Sequence, residues 1–251
     1  MKVHASNYEI RGFTAQVSEA DLRAVEHADG VALINDLGSG SLANLEAFGL
    51  PHEPTPREAL QRGADILTFS GDKLLGGGAQ CGLIVGRRDL LAKIYRKPMK
   101  RALRIDKVRL AALESVLRLY VNPERLAREL PTLRLLCHRQ AYIRAQAARV
   151  LSAVAATVRG HASATVIDCM SQVGSGALPV DTLHSAGIAM KPAVKHRGRA
   201  VERLAQAFRD LPSPVLGRIS DGVFRLDLRC LEDEDAFVAQ SKLLAFGLAT
   251  R

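Results

Sequence analysis

Lys73 and Asp36 are the residues whose types and spacing most directly suggest chemistry. Lys73 stands in Ser70-Gly71-Asp72-Lys73, behind the apolar run Ile66-Leu67-Thr68-Phe69 and ahead of Gly76-Gly77-Gly78. Asp36, 37 residues upstream, closes the run Val31-Ala32-Leu33-Ile34 and opens the turn Leu37-Gly38-Ser39-Gly40. An acid at one strand end and a lysine at a later one is the arrangement that holds a pyridoxal phosphate ring. The lysine forms an imine with the aldehyde, and the carboxylate pairs with the pyridinium nitrogen and keeps it protonated. A protonated ring is an electron sink, so the pair points to chemistry at the Cα of an amino acid.

Three further features bear on that site. Ser70 is spaced to bond a phosphate oxygen of the same cofactor, and Asp72 either orients a substrate group or pairs with a nearby arginine. Arg101 and Arg104, three apart in Lys97-Pro98-Met99-Lys100-Arg101-Ala102-Leu103-Arg104, either clamp a tetrahedral oxyanion or form an exposed basic corner. The glycine run lacks a following Walker lysine, which excludes an ATPase and leaves a tight turn beneath the cofactor. A lysine after a strand is equally at home as a surface charge; the acid on the neighbouring strand is what favours the cofactor.

The elements that must position these residues alternate. A short strand over 3–5 runs out into a loop that carries Asn7. A helix capped by Ser18, with Asp21 three residues on, stops at Asp29-Gly30. Strands are expected over 31–34, 66–69 and 83–85, and helices over 57–62, 88–95 and 106–120, the last burying Val108, Ala111, Ala112, Ser115, Val116 and Leu119. Strands apolar on both faces and separated by helices imply a largely parallel sheet, with ligands collecting at the carboxyl ends. Asn7, Asp36 and Lys73 all fall there. Asn122-Pro123 divides a domain over 1–121 from a smaller α+β domain over 122–251. In the latter a helix over 132–158 precedes strands over 165–169, 214–219 and 223–228 and a final helix over 234–248. Ser220-Asp221-Gly222 forms a hairpin turn.

Composition bounds the rest. With 47% hydrophobic and 24% charged residues, broad disorder is excluded. The polar start is no signal peptide, no apolar run reaches membrane-span length, and four scattered cysteines fit a cytoplasmic location. Neither the cysteines nor the seven histidines have metal-ligand spacing. A net charge of +9 suits a polyanionic partner or solvated arginine-rich helices, and 4% aromatics without tryptophan argues against a base-stacking platform.

The run Thr68-Phe69-Ser70-Gly71-Asp72-Lys73-Leu74-Leu75-Gly76-Gly77 resembles bacterial selenocysteine synthase, the seryl-tRNA(Sec) selenium transferase family. So do Asp36-Leu37-Gly38-Ser39-Gly40-Ser41-Leu42, Lys100-Arg101-Ala102-Leu103-Arg104, Glu129-Leu130-Pro131-Thr132-Leu133-Arg134, Gly217-Arg218-Ile219 and Leu226-Asp227-Leu228-Arg229-Cys230-Leu231. The likeness begins at His4-Ala5-Ser6-Asn7-Tyr8 and keeps its order almost to the last residue.

The resemblance implies a fold-type-I pyridoxal phosphate enzyme, here a partial cofactor-binding large domain followed by a small α+β domain. It makes Lys73 the imine lysine, Asp36 the ring-nitrogen partner, Asn7 a neighbour of the phenolic oxygen, and Arg101 with Arg104 the receivers of selenophosphate. The implied reaction is a β-replacement on seryl-tRNA(Sec): the serine loses its Cα proton and β-hydroxyl, and selenium adds to the aminoacrylyl intermediate. Homo-oligomeric rings, with active sites between subunits, are implied too. Two departures stand out. The family's N-terminal half, with its tRNA-gripping domain and phosphate cup, has no counterpart here, and Gly76-Gly77-Gly78-Ala79-Gln80-Cys81-Gly82 is one residue longer than the usual Gly-Gly-Pro-Gln-Ala-Gly. Related pyridoxal phosphate lyases acting on a small amino acid or sugar phosphate, and a catalytically dead assembly fragment, are the competing expectations.

Overall fold

The computed structural model describes residues 1–5, 10, 12–15, 17–26, 30–76, 78, 80–173, 183–194 and 197–246. Asn7, Asp29 and Gly77 lie outside the described residues. The chain divides into two compact units, one containing 1–137 and the other 138–171 with 183–251.

The first unit is built on a four-stranded sheet of β1 (Lys2–Val3), β2 (Ile34–Gly38), β3 (Ile66–Ser70) and β4 (Gly82–Gly86), side by side in that order. β1, β2 and β3 run parallel, and β4 returns antiparallel along β3 with Ser70 opposite Gly82. Helix α1 (Glu19–Glu26) starts at Ser18, whose hydroxyl accepts the Asp21 N–H at 3.1 Å. Helix α2 (Pro56–Gln61) starts at Thr55, which forms a reciprocal capping box with Glu58. Asp65 fixes the entry into β3: its buried carboxylate accepts the Leu33 N–H at 2.8 Å and pairs with Arg23 at 2.6 Å and Arg87 at 3.2 Å. Beneath the sheet, Leu37, Ala59, Ala64, Leu67 and Phe69 form a core cluster.

β2 begins at Ile34 rather than Val31, so Asp36 lies within the strand and does not close it. Val31 is exposed, whereas the ladder continues past Ile34 because β1 supplies partners as far as Asp36 and β3 as far as Gly38.

After α3 (Arg88–Tyr95) and a 3-10 turn (Pro98–Arg101), α4 (Lys107–Leu119) buries a different stripe from the expected one. Leu113, Val116, Leu117 and Tyr120 pack with Leu75, while Val108, Ala111, Ala112 and Ser115 are exposed. Apolar side chains surround this helix, so periodicity alone did not select the face. The first unit runs past Asn122-Pro123 through α5 (Pro123–Glu129) and α6 (Pro131–Leu136). The single helix expected over 132–158 is broken: α7 spans Gln140–Thr157, and the His138 carbonyl accepts from the Arg229 guanidinium at 3.0 Å.

In the second unit, β5 (Ala162–Ser171), β6 (Leu183–Pro192), β7 (Arg218–Ser220) and β8 (Val223–Asp227) form an antiparallel sheet ordered β5-β6-β8-β7. Helices α7, α8 (Arg197–Arg209) and α9 (Glu234–Ser241) complete the unit, and one core runs through Ile143, Val150, Ile188, Met190, Phe208, Phe224 and Phe237. β6 and α8 had no counterpart in the sequence reading, and α9 ends at Ser241 instead of 248. Gly187 explains why β6 is hard to see. A Cβ there would lie 1.9 Å from the Leu226 carbonyl oxygen, so a residue of low strand preference is needed for β8 to approach. The hairpin turn at Asp221-Gly222 takes left-handed φ values of 55° and 72°.

Candidate active site

The site grows from the carboxyl ends of β2 and β3. Asp36 is the register partner of Thr68, and Ser70 lies two residues further along β3. Neighbours in register share a face, so Asp36, Thr68 and Ser70 line one half-exposed face while Leu67 and Phe69 go into the core opposite. Asp36 Oδ1 accepts the Gly38 N–H at 3.2 Å, a local bond that fixes the carboxylate where the β2 register shifts between Asp36 and Gly38. Its other oxygen has no hydrogen bond from a described residue.

Two turns then interlock. In the first, Gly40 has φ 70°, and a Cβ on it would stand 2.3 Å from the Ser70 carbonyl oxygen. Only glycine lets the chain after Asp36 lie so close to the end of β3. In the second, the Leu74 N–H donates to the Ser39 carbonyl at 3.0 Å, and the Gly71 N–H donates to Cys81 at 2.9 Å. Leu74 and Leu75 are buried as anchors, and Tyr120 donates its hydroxyl to the Leu75 carbonyl at 2.9 Å. Gly76 seats on Leu130, whose Cδ1 would be 2.8 Å from an added Cβ. Lys73 is thus half-buried on a turn braced on both sides, and the Gly76 N–H donates to its carbonyl at 2.9 Å.

A buried carboxylate, missed in the sequence, supports the first turn. Glu53 accepts from the Ser39 hydroxyl and lies 3.3 Å from His4 Nε2, and the His4 N–H donates to the Asp36 carbonyl at 2.8 Å. Its one available signal was an acid enclosed in Pro51-His52-Glu53-Pro54, where a loop would place a solvated charge.

The remaining candidates are less gathered. Asp72 is exposed beside Lys73; burial first, and then the charge of Asp72, push the nearby Cys81 thiol up from its ordinary value. Arg101 ends the 3-10 turn and Arg104 follows it; both are exposed and neither pairs with a described residue. Asp36 and Ser70 therefore share one face of the sheet and Lys73 follows Ser70 by three residues on the adjoining turn, while the two arginines are exposed and pair with no described residue.

Pyridoxal phosphate fits the residues present. A carboxylate with one oxygen that no described residue engages shares a face with Ser70, and the half-buried residue Lys73 sits on the adjoining turn.

The family model for L-seryl-tRNA selenium transferase matches residues 1–232. The L-seryl-tRNA(Sec) selenium transferase of Rhizobium meliloti (strain 1021) is 56% identical over 239 residues, covering 95% of this chain and 50% of the relative. The enzyme of the same name from Methylocella silvestris is 53% identical over 244 residues, covering 97% and 51%. The chain spans about half the length of the curated relatives it matches. Among solved structures, D-glucosaminate-6-phosphate ammonia-lyase superposes with a TM-score of 0.56 at 18% identity, covering 97% of this chain and 56% of that one. That likeness shows the shared α/β fold.

Proposed function

Because this chain belongs to the L-seryl-tRNA selenium transferase family, we propose that it carries the Lys73 side of a pyridoxal phosphate site that converts seryl-tRNA(Sec) to selenocysteinyl-tRNA(Sec). The carrying observation is the register of β2 and β3, which sets Asp36 and Ser70 on one face beside the braced Lys73 turn. When bound, pyridoxal phosphate supplies the electron sink for negative charge developing at the serine Cα.

The chain's own residues do the rest. Lys73 anchors the cofactor and, once released, takes the proton from Cα. Asp36 holds a proton on the ring nitrogen, for which its unengaged oxygen is available. Ser70 bonds the cofactor phosphate. Arg101 and Arg104 bind selenophosphate through paired donors, which no described carboxylate occupies. Asp72 orients a substrate group beside Lys73. The β-hydroxyl of the serine leaves as water, selenium from selenophosphate takes its place, and water then cleaves the Se–P bond to release phosphate while the ester to the tRNA stays intact.

The test is chemical trapping. Adding pyridoxal phosphate to the 251-residue chain and then borohydride should fix the cofactor to the peptide containing Lys73, read by mass. Lys73→Ala should lose the adduct, and Asp36→Asn should weaken it. An adduct spread over surface lysines, unchanged in Lys73→Ala, sinks the reading in favour of an assembly fragment.

A further inference from the structure

The chain's positive charge is not spread over its surface. Residues 87–109 hold ten lysines and arginines against two aspartates, a net +8 of the whole chain's +9. The other 228 residues are close to neutral, with 25 cations and 24 carboxylates. Within the segment Arg87 pairs with Asp65 and Asp89, and Arg109 pairs with Asp106. Arg88, Lys93, Arg96, Lys97, Lys100, Arg101, Arg104 and Lys107 make no ion pair with a described residue, and all eight are exposed. Lys100 instead lies over the ring of Tyr95, its Nζ 3.5 Å from the centroid, and that ring is itself exposed.

Such a concentration is costly unless a polyanion shares it, because like charges along one helix and turn repel. Lys93 lies in the last turn of α3 and Arg96 caps its C-terminal end, where the helix dipole favours cations, and Lys97 follows in extended backbone that leads into the 3-10 turn. The same run continues directly into Arg101 and Arg104. A phosphodiester backbone, with a charge at every nucleotide, is the ligand that matches a row of unpaired cations.

We propose that Arg88, Lys93, Arg96, Lys97 and Lys100 form a docking track for the phosphate backbone of the aminoacylated RNA substrate, leading to the arginine pair. The track rests on the selenium transferase reading only for which RNA it carries. Each cation that meets a phosphate adds to the salt dependence of binding, with a slope of roughly 0.7 to 0.9 per contact.

Fluorescence anisotropy of a labelled, deacylated tRNA(Sec) transcript over roughly 50 to 200 mM KCl tests this. The 251-residue chain should bind, and Lys93→Glu/Arg96→Glu/Lys97→Glu should bind about tenfold or more weakly, with a salt slope shallower by about two to three. The matched reversal in the second unit, Arg159→Glu/Lys191→Glu/Lys242→Glu, should change binding less than about twofold. Equal losses in both triple variants would overturn the track, as would unaltered binding by the first. So would a change in sedimentation without a change in RNA affinity, which would give the surface to a second copy of the chain. Borohydride trapping at Lys73, measured on the same samples, separates the two ideas. RNA binding that follows the track without trapping fails the cofactor reading alone, and trapping with track-independent RNA binding fails the track alone.

Discussion

The two units bury polar groups for opposite purposes. In the second, Asp227 accepts from the Ser171 hydroxyl, from Ser185 at 2.6 Å and from the Arg229 N–H at 3.0 Å. The Arg229 guanidinium turns back to Ser171 at 3.1 Å and reaches the His184 carbonyl at 2.6 Å. That network ties strand ends together. In the first unit, by contrast, the buried carboxylates Glu53 and Asp65 support turns and strand starts, while Asp36 and Ser70 have hydrogen-bonding capacity on an open face that no described residue takes up. Satisfied polar groups make a scaffold; a site needs groups held firmly yet left wanting a partner.

Both units also use glycine to bring backbones together, and substituting each glycine tests how separate these purposes are. Gly187→Ala should have the largest effect. The added methyl meets a carbonyl in the middle of a sheet, where neither strand can yield, and should cost more than about 4 kcal/mol. Hydrogen exchange should show protection lost in β5, β6 and β8. Near-native protection there would mean that the close approach is not needed.

Gly40→Ala should cost less, about 2–4 kcal/mol, because a turn relaxes more readily than a strand. Its signature lies in the site: cofactor trapping at Lys73 should fall while β6 and β8 keep their protection. Parallel losses in both units would break the contrast drawn here.

The smallest expected effect is on pH dependence. Burial works to raise the Asp65 carboxyl, but bonds from Arg23, the Leu33 N–H and Arg87 outweigh it and hold the group below its ordinary value. A carboxyl lowered in the folded state stabilises it fully above the unfolded value near 3.9, and that contribution disappears as pH falls through the folded value. Protection of β2 and β3 should therefore decline below about pH 4. Asp65→Asn should flatten that decline and cost about 1–3 kcal/mol at neutral pH. An unaltered acid profile in the variant would remove Asp65 from the account.

What could be read from the sequence divides along the same line. Ser70 and Lys73 announce themselves through local pattern, since an apolar run ending in a glycine-rich polar turn marks a strand end, whereas Asp36, read as closing a strand, lies inside one. Capping at Ser18 and the Ser220-Asp221-Gly222 hairpin were equally local. Helix α4 misled because it is apolar on every side, and β6 was hidden because Gly187 serves a neighbour 39 residues away. The break between α6 and α7 answers to Arg229, and Glu53 matters only through His4 and Ser39. Each of these misses depends on a partner distant in sequence.

Gly76 and Gly82 give the glycine-rich turn after Lys73 two fixed ends. Gly76 is seated on Leu130 at the corner between α5 and α6, and Gly82 is opposite Ser70. With both ends moored, a residue inserted between the two glycines should leave the lysine where it stands, whereas one inserted between Ser70 and Leu74 should displace it.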